Sequence, residues 1–128
     1  MNILYTNFHT GGGGGHTTYI LSLVKNTPNN TYVACPESSS LCKSLEKIGY
    51  KNIIKMTFYY RITDIVKIVK NARLLARHIE EYDIDIVHTN GSPDNRMVFQ
   101  QVVRAICAWD ACVAVHQTAY CFISSMGL

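Results

Sequence analysis

Three short polar stretches hold the residues with chemistry to offer: Gly11-Gly12-Gly13-Gly14-Gly15-His16, His88-Thr89-Asn90-Gly91 and His116-Gln117-Thr118. The glycine run follows an apolar segment, Ile3-Leu4-Tyr5, and precedes a helical pattern starting near Thr17. Residues without a Cβ cost the most ordering entropy, so a folded chain keeps a run of them where backbone bends sharply or approaches something closely. A strand, a glycine turn and a helix, in that order, aim backbone N–H groups and the positive end of the helix dipole at one spot. Phosphate or a sugar diphosphate is the natural occupant, and a glycine-rich surface turn is the plainer alternative. His88 and His116 each close an apolar run, where a histidine either serves a site or hydrogen-bonds its own loop.

The rest of the composition bounds what such a site can belong to. With 128 residues, 48% of them hydrophobic, the chain makes one domain that buries about two thirds of its unfolded surface. A net charge of +3 is too mild to argue for nucleic acid. Met1-Asn2-Ile3-Leu4-Tyr5 has no basic region of the signal-peptide kind, and Lys67, Lys70, Arg104 and Asp110 interrupt the longest apolar runs, so a soluble, cytoplasmic protein is expected. The five cysteines, Cys35, Cys42, Cys107, Cys112 and Cys121, sit in or beside apolar segments and read as small buried hydrophobes. Cys107, Cys112, His116 and Cys121 lack the short Cys-x-x-Cys hairpin of a zinc site, and no metal is expected.

Short apolar runs alternate with amphipathic ones. Strands are expected over about 2–6, 31–35, 52–57, 84–88 and 111–115. Helices are expected over about 16–25, with Tyr19, Ile20, Leu23 and Val24 inward, and over a short segment capped among Ser38 to Ser40 and closed by Gly49, with Leu41, Leu45 and Ile48 on one face. A third, over about 63–81, carries the stripe Ile62, Ile65, Val69, Ala72, Ala76 and Ile79; a fourth spans about 95–107. The third also carries Lys67, Lys70, Arg73 and Arg77, a basic face that either is simply solvated or meets anionic lipid or an acidic partner.

Such alternation implies right-handed crossovers and a doubly wound α/β domain, a Rossmann-like parallel sheet of order 3-2-1-4-5. That order gathers the tips after strands one, four and five at the reversal of winding, where ligands bind. A P-loop is excluded because His16-Thr17 stands where Lys-Ser or Lys-Thr is required. Dinucleotide binding is poorly served as well. With Gly11 and Gly13 as the first two glycines, His16 takes the third small position, and the nearest acid, Glu37, lies past Pro36.

Four stretches carry a resemblance: the opening strand with Gly11 to His16; Ser39-Ser40-Leu41 through Leu45, Ile48 and Gly49; Asp83-Ile84-Asp85-Ile86-Val87-His88-Thr89-Asn90-Gly91; and Val113-Ala114-Val115-His116. Over residues 1 to about 118 the chain resembles the amino-terminal half of a GT-B fold, family 4-like retaining glycosyltransferase. The resemblance implies a domain that handles acceptor and approaches the donor diphosphate of a nucleotide sugar through its glycine loop. The matching positions for donor binding are Gly13, Gly14, Gly15 and His16; His116 matches the histidine that contacts the donor sugar near the reacting carbon. His88, Asn90 and Gly91 match the acceptor side. The implied partners are a nucleotide-sugar donor, which is a substrate and leaves no separate cofactor, and a glycan or lipid-linked acceptor, with peripheral contact at the inner face of the membrane.

The donor-binding carboxyl-terminal domain of that family has no counterpart here, and Ala119 to Leu128 does not continue the family pattern. The expectation is a first domain truncated after its fifth strand and inactive alone. The alternative is a free-standing Rossmann-like module that binds a phosphorylated or glycosylated ligand without catalysis.

Overall fold

The computed structural model describes residues 1–12, 14–59, 61–90, 114–117 and 120–122, the last two stretches as backbone. The apolar runs form β1 (Asn2–Thr6), β2 (Asn30–Cys35), β3 (Ile53–Lys55), β4 (Ile86–Thr89), β5 (Ala114–Gln117) and β6 (Tyr120–Phe122). Between them lie α1 (Gly15–Asn26), α2 (Ser40–Lys47) and α3 (Ile65–Glu81), the last entered through a 3-10 turn at Ile62–Asp64. The helix expected over 95–107 lies outside the described residues, as do Gly13, Gly91, Cys107 and Cys112.

The parallel order 3-2-1-4 is as expected of a Rossmann-like domain, with Leu4 of β1 in register with Tyr32 of β2 and Val87 of β4. Beside β4 the backbone of β5 runs parallel, and β6 returns antiparallel to β5. The last strand before the tail was expected over 111–115; its described part runs to Gln117, because the β4 ladder continues through His88–His116 and Thr89–Gln117. β3 is shorter than the expected 52–57, since ladder pairing with β2 extends only from Ile53 to Lys55.

Alternation along each strand sends side chains to two separate cores. Leu4, Ala34, Ile54 and Val87 pack with Ala72, Leu75 and Ile79 of α3. Ile3, Tyr5, Val33 and Cys35 pack with Ile20 of α1 and with Leu41, Cys42 and Leu45 of α2. Each fully buried aliphatic side chain contributes about 1.5–3 kcal/mol to this sandwich. At the amino-terminal edge of the sheet, Asn2 N donates to Asp85 Oδ2 at 2.7 Å and Asn2 Nδ2 donates to the Tyr82 carbonyl at 2.8 Å. The Asp83-Ile84-Asp85 part of the fourth-strand signature therefore ties β4 to β1, on the rim opposite the glycine loop.

Helix faces differ from expectation in three places. In α3 the sheet-facing stripe is Ile68, Ala72, Leu75 and Ile79; Ala72 and Ile79 are as expected, whereas Val69 and Ala76 are only half-buried and Ile65 is 55% exposed. Its apolar arc is wider than one contact stripe, and the sheet takes only one side of it. In α2 Cys42 replaces Ile48, which is 49% exposed because the chain turns away at Gly49 (φ +74°). In α1 only Ile20 is buried, with Leu23 and Val24 half-buried and Tyr19 exposed.

Candidate functional site

The carboxyl ends of β1 and β4 are adjacent, with Thr6 in register with Thr89. Asn90 N donates to the Thr6 carbonyl at 3.3 Å, so the two chain segments leave the sheet together. Asn7, one residue beyond β1, donates its backbone N–H to the Ala34 carbonyl at 2.9 Å and is almost completely buried. Its Oδ1 accepts from His9 N at 3.2 Å, a local turn that starts the loop toward the glycines.

The glycine loop closes against β4 through two long hydrogen-bond contacts. His16 Nδ1 and Asn90 Oδ1 lie 3.5 Å apart, and Asn90 Nδ2 donates to the His16 carbonyl at 3.4 Å. The His9 ring stacks on that of His16 with centroids 4.7 Å apart, and Phe8 lies 4.1 Å from His9. Residues 7–9, 14–16 and 90 thus form one assembly at the winding reversal.

α1 is entered from Gly14, which has extended backbone and no side chain to cap the helix. The Gly14 carbonyl accepts from Thr17 N at 3.0 Å and Thr18 N at 3.2 Å, but the N–H groups at the very start of the helix have no intrahelical partner. The first turn has no acidic residue to occupy the positive end of the dipole. Among the described residues a Cβ built on Gly11, Gly12, Gly14 or Gly15 would meet nothing within 4 Å, so no described neighbour demands glycine there.

At the carboxyl ends of β1 and β4 two buried polar groups find no hydrogen-bond partner among the described residues: Asn7 Nδ2 and Thr89 Oγ1. Leaving a buried donor unpaired costs about 1–3 kcal/mol. Thr89 lies on the α3 side of the sheet by alternation with His88, whereas Asn7 follows the parity of Tyr5 on the α1 side.

Of the residues singled out in the sequence, Gly14, Gly15, His16 and Asn90 are brought together. His88 lies under α1, edge-on to Tyr5 at 5.4 Å and 6.0 Å from the Tyr19 ring. The backbone of His116 is its in-register neighbour on β5. Gly13 and Gly91 lie outside the described residues. Asn7, His9 and Thr89 lie within the polar tips 7–16 and 88–92 that the sequence points to, but were given no individual role there. The signal for Asn7 was a polar residue directly after a strand at the entrance of a glycine loop; nothing local marks the His9 stack, which joins residues across the loop. Glu37, the acid weighed for a ribose contact, is engaged by Lys55 Nζ at 3.1 Å.

No family model matches the chain, and no curated protein matches it in sequence. Solved structures share its fold. Acinetobacter baumannii MurG matches with a TM-score of 0.58 at 15% identity, over 91% of this chain and 34% of that one. A UDP-N-acetylglucosamine 2-epimerase matches with a TM-score of 0.57 at 17% identity, over 91% and 32%. The dTDP-glucose 4,6-dehydratase of Bacillus anthracis str. Ames, in complex with NAD, matches with a TM-score of 0.55 at 15% identity, over 91% and 36%. The chain spans about a third of the length of each. At these identities the likeness is one of fold.

Proposed function

We propose that this chain is the acceptor-side, GT-B-like half of a retaining, family 4-like glycosyltransferase that uses a nucleotide sugar. The observation that carries the reading is the uncapped start of α1, open at four glycines and preceded in the chain by Asn7, whose buried amide has no partner among the described residues. Such an arrangement suits a diphosphate, which would accept from the free N–H groups and supply the negative charge that the first turn lacks. Two of the structures that share the fold are named for nucleotide-sugar substrates, UDP-N-acetylglucosamine and dTDP-glucose, which supports the same ligand class.

In this reading Gly13, Gly14, Gly15 and His16 hold the donor diphosphate, and His116 stands beside the donor sugar. His88, Asn90 and Gly91 line the acceptor side, where a glycan or lipid-linked acceptor enters. Transfer with retention builds positive charge on the sugar and negative charge on the leaving diphosphate. N–H donors aimed at the phosphates favour that separation of charge over the ground state. In this reading the donor is gripped by a second domain, and turnover is expected only with both halves together. Nicotinamide binding is less well supported, because Glu37 is paired with Lys55 and His16 occupies the third small position.

Calorimetry of the chain with UDP- and dTDP-sugars tests the proposal. Saturable heat is expected, tighter for nucleotide sugars than for inorganic phosphate. Equal heat with all of them would favour a general phosphate-binding module, and none would remove the ligand assignment. Turnover by the isolated chain above a heat-killed control would contradict the half-enzyme reading.

A further inference from the structure

Asn90 does more than close the glycine loop onto β4, because it decides which nitrogen of His16 carries hydrogen. Its side chain is 5% exposed and meets residue 16 with both ends of the amide. A backbone carbonyl only accepts, so the NH2 end must face the His16 carbonyl, 3.4 Å away. Oδ1 is then the atom 3.5 Å from His16 Nδ1. That oxygen also only accepts, so the contact is a hydrogen bond when Nδ1 holds the proton. In a neutral ring Nε2 is then a bare lone pair. His16 is exposed and follows Gly14 and Gly15 directly, in the first turn of α1. A lone pair repels a phosphate oxygen, whereas a protonated Nε2 donates to it in a charge-assisted hydrogen bond.

We propose that the diphosphate of a nucleotide sugar binds here together with one proton, taken from solvent onto His16 Nε2, because Asn90 withholds the neutral ring's only N–H from the ligand. The inference rests on the diphosphate reading of the glycine loop and adds a proton to it. Asn90 is a positioning residue, acting through His16.

No described group of the chain supplies the counter-charge. In the β1–α1 loop the His9 ring stacks on His16 with centroids 4.7 Å apart. Two stacked cations repel, so the pair takes one proton and not two. α1 has Tyr19 one turn on and no charged residue before Lys25. β4 offers the neutral Asn90, while His88 lies under α1 against Tyr5. From α2, Ser40 Oγ meets Thr17 Oγ1 at 3.3 Å, and Glu37 ahead of that helix is engaged by Lys55. Asp94, four residues past Asn90, lies outside the described residues. Among those described, no carboxylate is within ion-pair distance of His16. A cation alone at a helix start is opposed by the dipole, and a bound diphosphate reverses that balance.

Calorimetry of the whole chain with UDP-N-acetylglucosamine, in Tris and in MOPS at about pH 7.5, tests the proposal, since an imidazole changes charge across this range. A nucleotide sugar has no terminal phosphate of the kind that titrates near about pH 6, so a proton taken up belongs to the protein. The two buffers should give different heats, with uptake approaching about one proton. The bound state holds more protons than the free one, so affinity should rise about three- to tenfold from about pH 8 to about pH 7. Asn90→Ala frees the ring to present Nε2–H while neutral and should at least halve the uptake, with circular dichroism matching the parent. His16→Gln should abolish uptake and flatten the pH profile, whereas His9→Phe, which keeps a ring in the stack, should retain both. Saturable binding with equal heats in both buffers would overturn the proposal on the parent protein alone. Unchanged uptake in Asn90→Ala or His16→Gln, or uptake lost in His9→Phe, would overturn it as well. Absence of binding at every pH would instead remove the diphosphate reading, and this inference with it.

Discussion

α1 and α2 start on the same rim, lie on the same face of the sheet, and are built to opposite standards. α2 is complete within the chain: Ser39 Oγ accepts from Cys42 N at 3.1 Å, three of its eight residues are buried, and Gly49 turns the chain out in a left-handed conformation. α1 is half as long again, buries only Ile20, and starts at a glycine with no cap. Each is a helix beginning after a strand, so the difference is not one of fold. One helix meets its own hydrogen-bonding needs, and the first N–H groups of the other have no cap among the described residues. A free helix start is informative because its neighbour shows that this chain can cap a helix when nothing else is to bind there.

The largest expected effect tests how lightly α1 is held. Ile20→Ala removes its one fully buried side chain and should cost about 3 kcal/mol of unfolding free energy by urea titration. A loss below about 1 kcal/mol would mean that the half-buried Leu21, Leu23 and Val24 carry the helix instead.

Next comes the contrast between glycines. Gly14→Val meets no described neighbour within 4 Å, so the melting temperature should stay close to the parent's, while nucleotide-sugar affinity falls at least about tenfold, near 1.4 kcal/mol. Gly49→Ala should do the reverse, costing about 1–2 kcal/mol of stability through its φ of +74° and leaving affinity unchanged. If both changes act only on stability, the two helix ends are not specialised as argued.

Capping sharpens the same point on a smaller scale. Ser39→Ala should destabilise by about 1 kcal/mol. Gly14→Ser, which offers α1 the cap it lacks, should raise stability by about 0.3 kcal/mol and weaken ligand heat, because hydroxyl and phosphate compete for the same N–H groups.

The smallest effect concerns the closed side. Burial, with Cys42 beside it, pushes the Cys35 thiol from the ordinary 9.0 up to about 12. The folded state holds its proton more tightly than the unfolded chain, so this contribution is complete below 9.0 and is lost as pH rises toward 12. Melting temperatures on the alkaline side of 9.0 should fall less steeply in Cys35→Ala than in the parent. Equal slopes would show that the thiol does not titrate differently on folding.

Much of the architecture was legible from residue order, and the reasons are local. Periodicity marks β1, β2 and β4; Ser39 and Gly49 mark the ends of α2 through cap and turn chemistry that each residue carries with it. The parallel order 3-2-1-4 follows from alternation and crossover handedness. The candidate site was legible only in part. Gly14 to His16 and Asn90 could be named from their places after strands, whereas Asn7 could be placed in the tip after β1 but not given its burial.

What tertiary structure alone decided is how surfaces are shared between neighbours. α3 carries an apolar arc wide enough for two contact stripes, and the position of the sheet, not the helix sequence, chose Ile68 and Leu75 over Ile65 and Val69. Burial of the Asn7 amide and stacking of His9 on His16 likewise depend on segments that meet only after folding. The sequence by itself determined the elements and their order, because helix periodicity, strand alternation and capping act over a few residues. Which side of each element is covered, and which polar atoms are left waiting for a partner, is a property of distant residues packed together.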